Sequence, residues 1–385
     1  MGTINEPIRV LHIVKDDKFY RYFDSFRDTK EFVNIRALIS NKPNYHITWI
    51  PESSDIMILY KDKAIRELLN SDTYDAVFLQ SLTKENKRII QYIPKDKYII
   101  WRCYGYELYT SLNGLDPLIP IDVYMPLTRT FFLENQGSWS KVKEGLKKWA
   151  LSYYYSLKLK KWLGRIDFFQ PVIPIEYSYM LKNKHFHAKE FYPHNSYNYE
   201  FVVSESRARN GGIMIGNSST YTNNHLDIIN SIKAYLPKDR NIIFPLSYGD
   251  ISPEILINRM GLGEYNVRYL TDFIPREEYF NMLNNCSYFI SGVLRQQSMG
   301  NISYCLRNGI KLFLFKKSLV YQYLKEAGFV VFSIEDIDHL SFVTPMTPDE
   351  QEKNRKAAEN RKLRQDTISE DAIKFMKSNR RYEYT

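Results

Sequence analysis

Short apolar runs alternate with amphipathic stretches along most of the first half of the chain. The apolar runs predict strands at Ile8–Val14, Tyr45–Ile50, Ile56–Tyr60, Tyr74–Gln80 and Tyr98–Arg102, with helices over Lys61–Asn70 and Thr83–Tyr92. Strands that alternate with helices in this way are typical of βαβ units and of a mainly parallel sheet.

A second series of the same kind begins after Asn195. It predicts strands at Ile213–Gly216, Asn241–Pro245, Val267–Leu270, Ser287–Ile290 and Lys311–Phe315, and helices at Asn224–Tyr235, Pro275–Asn285, Gly300–Asn308 and Leu319–Ala327. The polar, turn-rich stretch Pro193–Gly212 separates the two series and is the predicted linker. We therefore expect two α/β domains, 1–195 and 205–345, followed by a basic helical extension, 346–385. Ligands of such sheets bind outside the carboxyl ends of the strands, here in a cleft that both domains face.

One segment departs from this alternation. Lys141–Arg165 carries eight basic residues against a single acidic one, and its apolar residues recur at helical spacing. Lysines beside an aromatic stripe favour a helix that lies on an anionic membrane surface. The alternative is a helix packed on the sheet with a solvated lysine face. The predicted membrane-docking residues are Lys147, Lys148, Trp149, Tyr153, Lys158, Lys160, Lys161 and Trp162.

Composition narrows the class of protein. The 385 residues include 53 basic and 44 acidic ones, so the net charge of +9 favours a polyanionic partner such as phosphates, nucleic acid or an anionic lipid surface. Three cysteines exclude a disulfide framework, and the histidines lack the partners of a metal site. No apolar run reaches about 18 residues, and the N-terminus is polar, so we expect a cytoplasmic protein without a membrane-spanning helix.

A candidate catalytic residue follows the fifth predicted strand. In the sequence WRCYGYELY, Trp101–Tyr109, the strand ends near Arg102, Gly105 permits a sharp turn, and Glu107 follows. A carboxylate at the carboxyl end of a strand can accept a proton from a substrate hydroxyl. The alternatives are that Glu107 caps the next helix or pairs with a lysine.

Two further strand ends predict phosphate and sugar binding. Gly212–His225 (GIMIGNSSTYTNNH) runs from a strand into a helix start, where backbone N–H groups suit a diphosphate. Ser291–Asn301 (SGVLRQQSMGN) adds an arginine fork for phosphate oxygens and two amides for sugar hydroxyls. A plain turn with a helix cap explains the first stretch equally well. The candidates are Gly216, Asn217, Ser218, Thr220, Asn224, His225, Arg295, Gln296, Gln297, Gly300 and Asn301, with Tyr248 in a further loop.

These motifs, in this order, resemble a known family. The features are W-x-x-x-G-x-E-L-Y at Trp101–Tyr109, GNSSTYTNNH at Gly216–His225, FPLSYG at Phe244–Gly249 and the long stretch Ile274–Phe315. The chain is similar here to the TDP-N-acetylfucosamine:lipid II N-acetylfucosaminyltransferases of enterobacterial common antigen synthesis, glycosyltransferase family 56. The similarity covers roughly residues 205–335, is thinner over 97–125 and is faint in the first 90 residues.

The resemblance implies a GT-B fold with two Rossmann-like domains, a nucleotide-sugar donor held mainly by the second domain, no essential metal or other cofactor, and a polyprenyl-diphosphate-linked acceptor. Glu107 takes the place of a family aspartate and is one methylene longer. The expected function is transfer of a deoxy-amino sugar at the inner face of the bacterial membrane, in surface polysaccharide or O-antigen synthesis. One alternative is a soluble glycan, lipid A core or protein acceptor. Another is a non-catalytic basic module that binds a membrane or nucleic acid. The sequence has no nucleic-acid-binding motif, and we do not expect nucleic acid as a partner.

Overall fold

The computed structural model describes residues 6–14, 31–40, 56–82, 89–109, 118–135, 161–192 and 211–379. The chain divides into two compact units. The first unit comprises Met1–Pro120, Val142–Asn198 and Lys362–Thr385, and the second comprises Ile121–Lys141 and Tyr199–Arg361. Each unit is built on a parallel sheet, as the alternation of strands and helices predicts.

The sheet of the first unit has, within the described residues, the strand order β3-β2-β1-β4-β5-β6-β7, and every pair is parallel. Apolar side chains of β1, β4 and β5 are buried in its core, because central strands of a covered parallel sheet have no solvent face. Its strands are β1 (Ile8–Val14), β2 (Phe32–Ile39), β3 (Met57–Leu59), β4 (Ala76–Gln80), β5 (Tyr98–Arg102), β6 (Phe168–Gln170) and β7 (Lys189–Glu190).

The sheet of the second unit has the order β10-β9-β8-β11-β12-β13 and is also parallel throughout. The two central strands, β8 and β11, are buried along their whole length. Its strands are β8 (Gly212–Ile215), β9 (Ile242–Pro245), β10 (Val267–Leu270), β11 (Cys286–Ser291), β12 (Lys311–Leu314) and β13 (Phe332–Ser333).

Helices connect the strands of both sheets. The structure also has single turns of 3-10 helix at Ile90–Tyr92, Tyr221–Asn223, Lys233–Tyr235 and Ile334–Asp336. The helices are α1 (Asp62–Leu69), α2 (Tyr106–Tyr109), α3 (Pro126–Asn135), α4 (Pro174–Met180), α5 (His225–Ile232), α6 (Pro253–Met260), α7 (Arg276–Asn285), α8 (Met299–Asn308), α9 (Leu319–Glu326) and α10 (Pro348–Ser378). No described helix is long and apolar enough to cross a membrane.

The fold class predicted from the sequence is confirmed. Every predicted strand that falls within the described ranges overlaps an observed strand. The predicted strand Tyr45–Ile50, part of the predicted helix Thr83–Tyr92 and most of the predicted linker lie outside them. The sequence pattern missed β2, because its polar residues Asn34 and Arg36 are only partly buried and interrupt the apolar run.

The segment that contains α3 belongs to the second unit, whereas the sequence placed it in an N-terminal domain of residues 1–195. The reason is a buried carboxylate on α5. Asp227 accepts hydrogen bonds from the backbone N–H groups of Leu127 and Thr128, both at 2.9 Å, and from the Thr128 hydroxyl at 2.6 Å. These bonds satisfy the first turn of α3, where backbone donors lack partners within the helix.

The C-terminal segment is not the separate extension, residues 346–385, that the sequence predicts. In the second unit, the Asn354 side chain of α10 accepts a bond from Val330 N (2.6 Å) and donates to Val330 O (3.2 Å). In the first unit, Ala372, Ile373 and Met376 of the same helix join the apolar core under the sheet. Helix α10 is thus part of the packed structure at both of its ends.

The Asp227 carboxylate provides a test of this assignment. Asp227→Asn replaces an acceptor of three hydrogen bonds by an amide whose NH₂ group faces donors. We expect the free energy of unfolding to fall by about 2–3 kcal/mol. Differential scanning calorimetry should therefore show a melting temperature lower by roughly 5–10 °C. Asp239→Asn, at an exposed position, is the control and should leave the melting temperature unchanged. Equal melting temperatures for the two variants would contradict this role of Asp227.

Candidate functional site

The first candidate loop leaves β8 at Gly216, which adopts a left-handed conformation with φ of +71°. Its backbone N–H donates to the Ile290 carbonyl of β11 at 2.9 Å, so the turn is fixed to the neighbouring strand. A Cβ atom at this position would lie 2.4 Å from Nε2 of His225. Only glycine therefore allows both the turn and the imidazole beside it.

His225 is the first residue of α5 and is almost completely buried. Among the described residues, neither ring nitrogen has a hydrogen-bond partner. Burial lowers the pKa of His225 to about 4, since nothing nearby compensates the charged form. The ring is neutral at pH 7 and offers one N–H donor and one acceptor at the start of a helix.

Amide and hydroxyl side chains order the rest of this loop. The buried Asn223 amide donates to both Ser218 Oγ and Thr220 Oγ1 at 2.8 Å. Asn217 donates to the Tyr248 hydroxyl at 3.1 Å, while its own Oδ1 is buried without a partner within the described ranges. The structure thus brings Asn217, Ser218, Thr220 and Tyr248 together, as expected, and adds Asn223, which sequence reasoning missed.

Asn224 has a structural part in the site. It is fully buried in a left-handed conformation, and its Oδ1 accepts a bond from Met125 N at 2.8 Å. Its Nδ2 donates to the carbonyl groups of Gly292 (2.8 Å) and Val123 (3.2 Å). Because backbone groups occupy this amide, Asn224 holds three segments together and is revised from a donor ligand to a positioning residue.

The second candidate loop follows β11 and leads into α8. Ser298 precedes the helix with φ of +59°, and the Arg295 guanidinium donates to the Gln296 carbonyl at 2.9 Å. The side-chain oxygens of Ser291, Gln296 and Ser298 are buried and, in the part of the chain that the structure describes, have no hydrogen-bond partner. This loop is therefore rich in polar groups that its own fold does not satisfy.

The two loops are in direct contact. Thr222 Oγ1 donates to Gln297 Oε1 at 2.7 Å, and Gln297 Nε2 lies 3.4 Å from Thr220 Oγ1. The residues singled out near 216 and 295, far apart in the sequence, form one polar cluster where β8 and β11 end. Since β8 and β11 are adjacent parallel strands, their carboxyl ends lie at the same edge of the sheet.

The start of α8 is open on one side. A Cβ at Gly300 would meet no atom within 4 Å, so this helix end leaves space for a ligand. Asn301 donates to the Tyr279 hydroxyl at 2.6 Å, and its amide nitrogen is therefore engaged by a residue of α7 that the sequence motifs did not single out.

The segment before α3 brings a phenol to the same cluster. Burial raises the pKa of Tyr124, with a further contribution from the Asp250 carboxylate, and the charge of Arg295 opposes both. Asp250 also accepts a bond from the backbone N–H of Tyr221 at 3.2 Å. Asp250 and Arg295 thus both lie within electrostatic reach of Tyr124, and neither Tyr124 nor Asp250 was singled out from the sequence.

Glu107 lies in the first unit, on the single turn of α2 after the left-handed Gly105. Its Oε1 accepts bonds from Tyr104 N (3.1 Å) and Trp101 Nε1 (3.4 Å), while Oε2 is buried without a partner among the described residues. Burial raises the pKa of this carboxyl, and hydrogen bonds from backbone N–H groups and from the Trp101 side chain only partly oppose the effect. A carboxylate of raised proton affinity suits the role of a general base.

Other buried polar residues surround the carboxyl end of the first sheet. Gln80, Arg102 and Gln170 are register partners on β4, β5 and β6, and each is at least 96% buried. The Tyr104 hydroxyl donates to Gln80 at 3.0 Å, whereas both amide atoms of Gln170 have no partner in the described parts of the chain. Glu176 on α4 is a second fully buried carboxyl group of this unit. Sequence reasoning missed this row because strand register is not visible in one sequence.

The predicted membrane-docking residues lie mostly outside the described residues, which include only Lys161 and Trp162. Lys161 is exposed, but the Trp162 side chain is 8% exposed and belongs to the core, so the prediction that Trp162 inserts into a membrane is wrong. Within the described ranges, no three His, Cys, Asp or Glu side chains are grouped to hold a metal ion. That the reaction needs no metal stays a prediction.

Solved structures of low sequence identity share this architecture. The N-terminal domain of the Candida albicans trehalose-6-phosphate phosphatase is similar at 11% identity with a TM-score of 0.56, covering 98% of each chain. An O-GlcNAc transferase mutant of Thermobaculum terrenum (10% identity, TM-score 0.54) covers 98% of this chain and 69% of its own. Anabaena HepE in complex with UDP and glucose (8% identity, TM-score 0.54) covers 96% of this chain and 100% of its own. The shared fold is GT-B.

A comparison with protein-family models shows to which family the chain belongs. The model described as 4-alpha-L-fucosyltransferase, glycosyl transferase group 56, matches residues 144–347, which is more than half of the chain and includes most of the second unit. The match favours an enzyme over the alternative of a non-catalytic basic module. The chain belongs to the group 56 glycosyltransferases and is a glycosyltransferase that uses a nucleotide-sugar donor and a glycan acceptor.

Proposed function

We propose that this enzyme transfers a deoxy-amino sugar such as N-acetylfucosamine from a TDP-type donor to a polyprenyl-diphosphate-linked glycan in bacterial surface polysaccharide synthesis. The observation that carries the donor half of this proposal is a set of buried polar atoms where β8 and β11 end, which find no hydrogen-bond partner among the described residues: Asn217 Oδ1, both ring nitrogens of His225, Ser291 Oγ, Gln296 Oε1 and Ser298 Oγ.

A buried polar group without a partner costs about 1–3 kcal/mol, so several in one cluster indicate that a ligand or ordered water completes them. Diphosphate oxygens accept hydrogen bonds, and sugar hydroxyls both donate and accept. A nucleotide sugar therefore matches a cluster that contains donors and acceptors of both kinds. The neutral imidazole of His225 can donate N–H to a phosphate oxygen without adding a titrating charge.

The leaving group of the reaction is a nucleotide diphosphate, whose negative charge rises as the glycosidic bond breaks. Arg295 brings a permanent positive charge to the cluster, and α5 and α8 begin there with their backbone N–H groups and positive dipole ends. Such preorganised groups stabilise developing charge in the transition state. We infer that they replace a divalent metal in this reaction.

The acceptor half of the proposal rests on Glu107. The proton of the acceptor hydroxyl passes to Glu107 Oε2 as the hydroxyl oxygen bonds to the anomeric carbon of the sugar. The bond from that carbon to the diphosphate oxygen breaks, and its electron pair leaves with the nucleotide diphosphate. The polar row of Gln80, Arg102 and Gln170 supports placement of a hydroxylated acceptor at this end of the first sheet.

Docking on an anionic membrane surface is the part of the proposal that sequence alone supports. The segment Lys141–Arg165 has eight basic residues, and each that reaches the surface contributes about 1 kcal/mol. A polyprenyl-linked acceptor is confined to the bilayer, so an enzyme that acts on it gains from this attachment. We place the enzyme at the cytoplasmic face of the membrane.

Arg295→Ala tests the donor site. Loss of a charge-assisted contact to the diphosphate should weaken TDP binding by roughly 10- to 100-fold. Isothermal titration calorimetry with TDP measures the change directly. Arg268→Ala, an exposed arginine on the edge strand β10, is the matched control and should bind TDP as the wild-type protein does. An unchanged TDP affinity in Arg295→Ala would place the diphosphate elsewhere.

Glu107→Gln tests the base. The amide keeps the size of the side chain but cannot accept the proton, so kcat should fall by about 10²–10⁴-fold. TDP binding should be unaffected, because Glu107 does not belong to the donor cluster. Turnover close to that of the wild type would remove Glu107 from the role of base.

The acceptor is tested with vesicles. Purified enzyme, TDP-N-acetylfucosamine and a polyprenyl-diphosphate-linked glycan should give product fastest in vesicles that contain anionic lipid. Replacement of Lys147, Lys148, Lys158 and Lys160 by glutamine should abolish the preference for anionic over zwitterionic vesicles. Equal or faster turnover on a soluble glycan, a lipid A core or a protein would show that the acceptor assignment is wrong, and thermal-shift screening of TDP- and UDP-sugars would then identify the donor independently.

A further inference from the structure

The second buried carboxyl group of the first unit, Glu176, has contacts that tie it to the helix of Glu107. Glu176 is the third residue of α4 and has no exposed surface. Its Oε2 accepts the backbone N–H groups of Val172 (2.9 Å) and Ile173 (3.1 Å). Through these bonds Glu176 caps the start of α4 and is itself held in one orientation.

The other oxygen of Glu176 reaches α2. Its Oε1 accepts the hydroxyl of Tyr109 at 2.8 Å, and the Tyr109 side chain is also buried. Tyr109 ends the single helical turn on which Glu107 stands, two residues earlier. One turn of helix is not stable by itself, so its orientation depends on such tertiary contacts. The Tyr109–Glu176 bond is therefore a direct support for the placement of Glu107.

The two carboxyl groups also interact through their charges. Burial raises the pKa of Glu176 to about 7, against the hydrogen bonds from Ile173, Tyr109 and Val172, and the charge of Glu107 raises it further. Cys103 is affected by both carboxylates: burial raises the pKa of its thiol first, and Glu107 and Glu176 add to the effect. Arg102 is the positive charge that acts on this thiol in the opposite direction.

We propose that Glu176 is a positioning residue for the reaction: it fixes the helix of Glu107 through the Tyr109 hydroxyl, and its negative charge strengthens Glu107 as a base. The proposal rests on the function proposed for Glu107. A helix cap alone does not account for the charge of Glu176, because glutamine at the third position of a helix caps the same backbone N–H groups without the cost of a buried charge. The second oxygen, turned toward Tyr109, serves no need of α4.

The charge interaction between Glu107 and Glu176 determines how the reaction rate should change with pH. Two interacting carboxyl groups lose their protons in two steps that belong to the pair. When the pH rises through about 7, the proton that Glu176 holds is lost. The new negative charge then increases the proton affinity of Glu107, so the rate of proton removal from the acceptor should rise across this pH range. Protonation of Glu176 on acidification reverses the gain.

Glu176→Gln and Tyr109→Phe separate the two parts of the proposal. Kinetics are measured from pH 5.5 to 8.5 with the nucleotide sugar on which the wild-type protein turns over. Glu176→Gln should lower kcat by about tenfold or more, keep the affinity for TDP, and lose the ionisation near pH 7. Tyr109→Phe should lower kcat but keep an ionisation, moved to higher pH, because Glu176 loses a hydrogen bond that favours its charged form.

The first unit offers a matched control. Glu190 on β7 is also partly buried, has a pKa that burial raises, and accepts a bond from the Tyr192 hydroxyl at 2.5 Å, yet it has no contact with α2 among those described. Glu190→Gln and Tyr192→Phe remove a similar tyrosine–glutamate pair. Both should keep the wild-type kcat and pH profile, which distinguishes positioning of Glu107 from a general loss of packing.

The outcomes distinguish this proposal from the one on which it rests. If Glu107→Gln is inactive while Glu176→Gln keeps the wild-type kcat and pH profile, Glu176 has no part in the reaction and only the further inference is overturned. If Glu107→Gln is active, the proposed base is wrong and the role of Glu176 falls with it. Should Glu176→Gln fail to show a thermal unfolding transition, Tyr109→Phe decides, and an unchanged kcat and pH profile in that variant overturns the proposal.

Discussion

The Asn224 amide is the interaction on which the proposed donor site depends. One side chain binds the backbone of the segment before α3 and the backbone of the loop after β11, while its own residue immediately precedes α5. This buried side chain therefore joins the two polar loops to the segment with Tyr124, together with the Thr222–Gln297 contact and the bonds of Asp227 to α3. Because its hydrogen bonds go to backbone atoms, the arrangement does not depend on the identity of the surrounding side chains, and the loops can vary while their geometry is retained.

Because Asn224 anchors the backbone of both loops, the unsatisfied polar groups between them indicate a ligand-binding site. Several other buried polar residues of the second unit find partners, as Asp227 does with α3 and Lys311 does with the carbonyl groups of Ser341 and Thr344. The cluster at β8 and β11 instead has buried oxygens and nitrogens that lack hydrogen-bond partners in the described part of the chain, on a well-anchored backbone. Unpartnered groups of this kind reduce stability. In the proposed function, the nucleotide sugar supplies the missing partners, which would link donor affinity to the stability of this unit.

The sequence predicted the architecture and the two polar loops after β8 and β11, because both depend on local patterns. Buried central strands are continuous apolar runs, and glycine with small polar residues marks their carboxyl ends. The contacts that individual loop residues make were not predictable in the same way. Asn224 and Ser218 look alike as loop residues, yet one is committed to backbone contacts 68 and 101 residues away in the sequence. Gln170 was missed because strand register, not spacing, aligns it with Arg102, and Glu176 was missed because its burial and its bond to Tyr109 are not visible in the sequence.

The pairing of Gly216 with His225 restricts how this family member can change. Any side chain at 216 would displace the imidazole, and a smaller residue at 225 would relieve that collision without relieving the left-handed backbone. Only asparagine and aspartate among the other residues tolerate that backbone readily. We therefore expect positions 216 and 225 to change together. A substitution at one position is tolerated only with a substitution at the other, and few pairs of residues fit both.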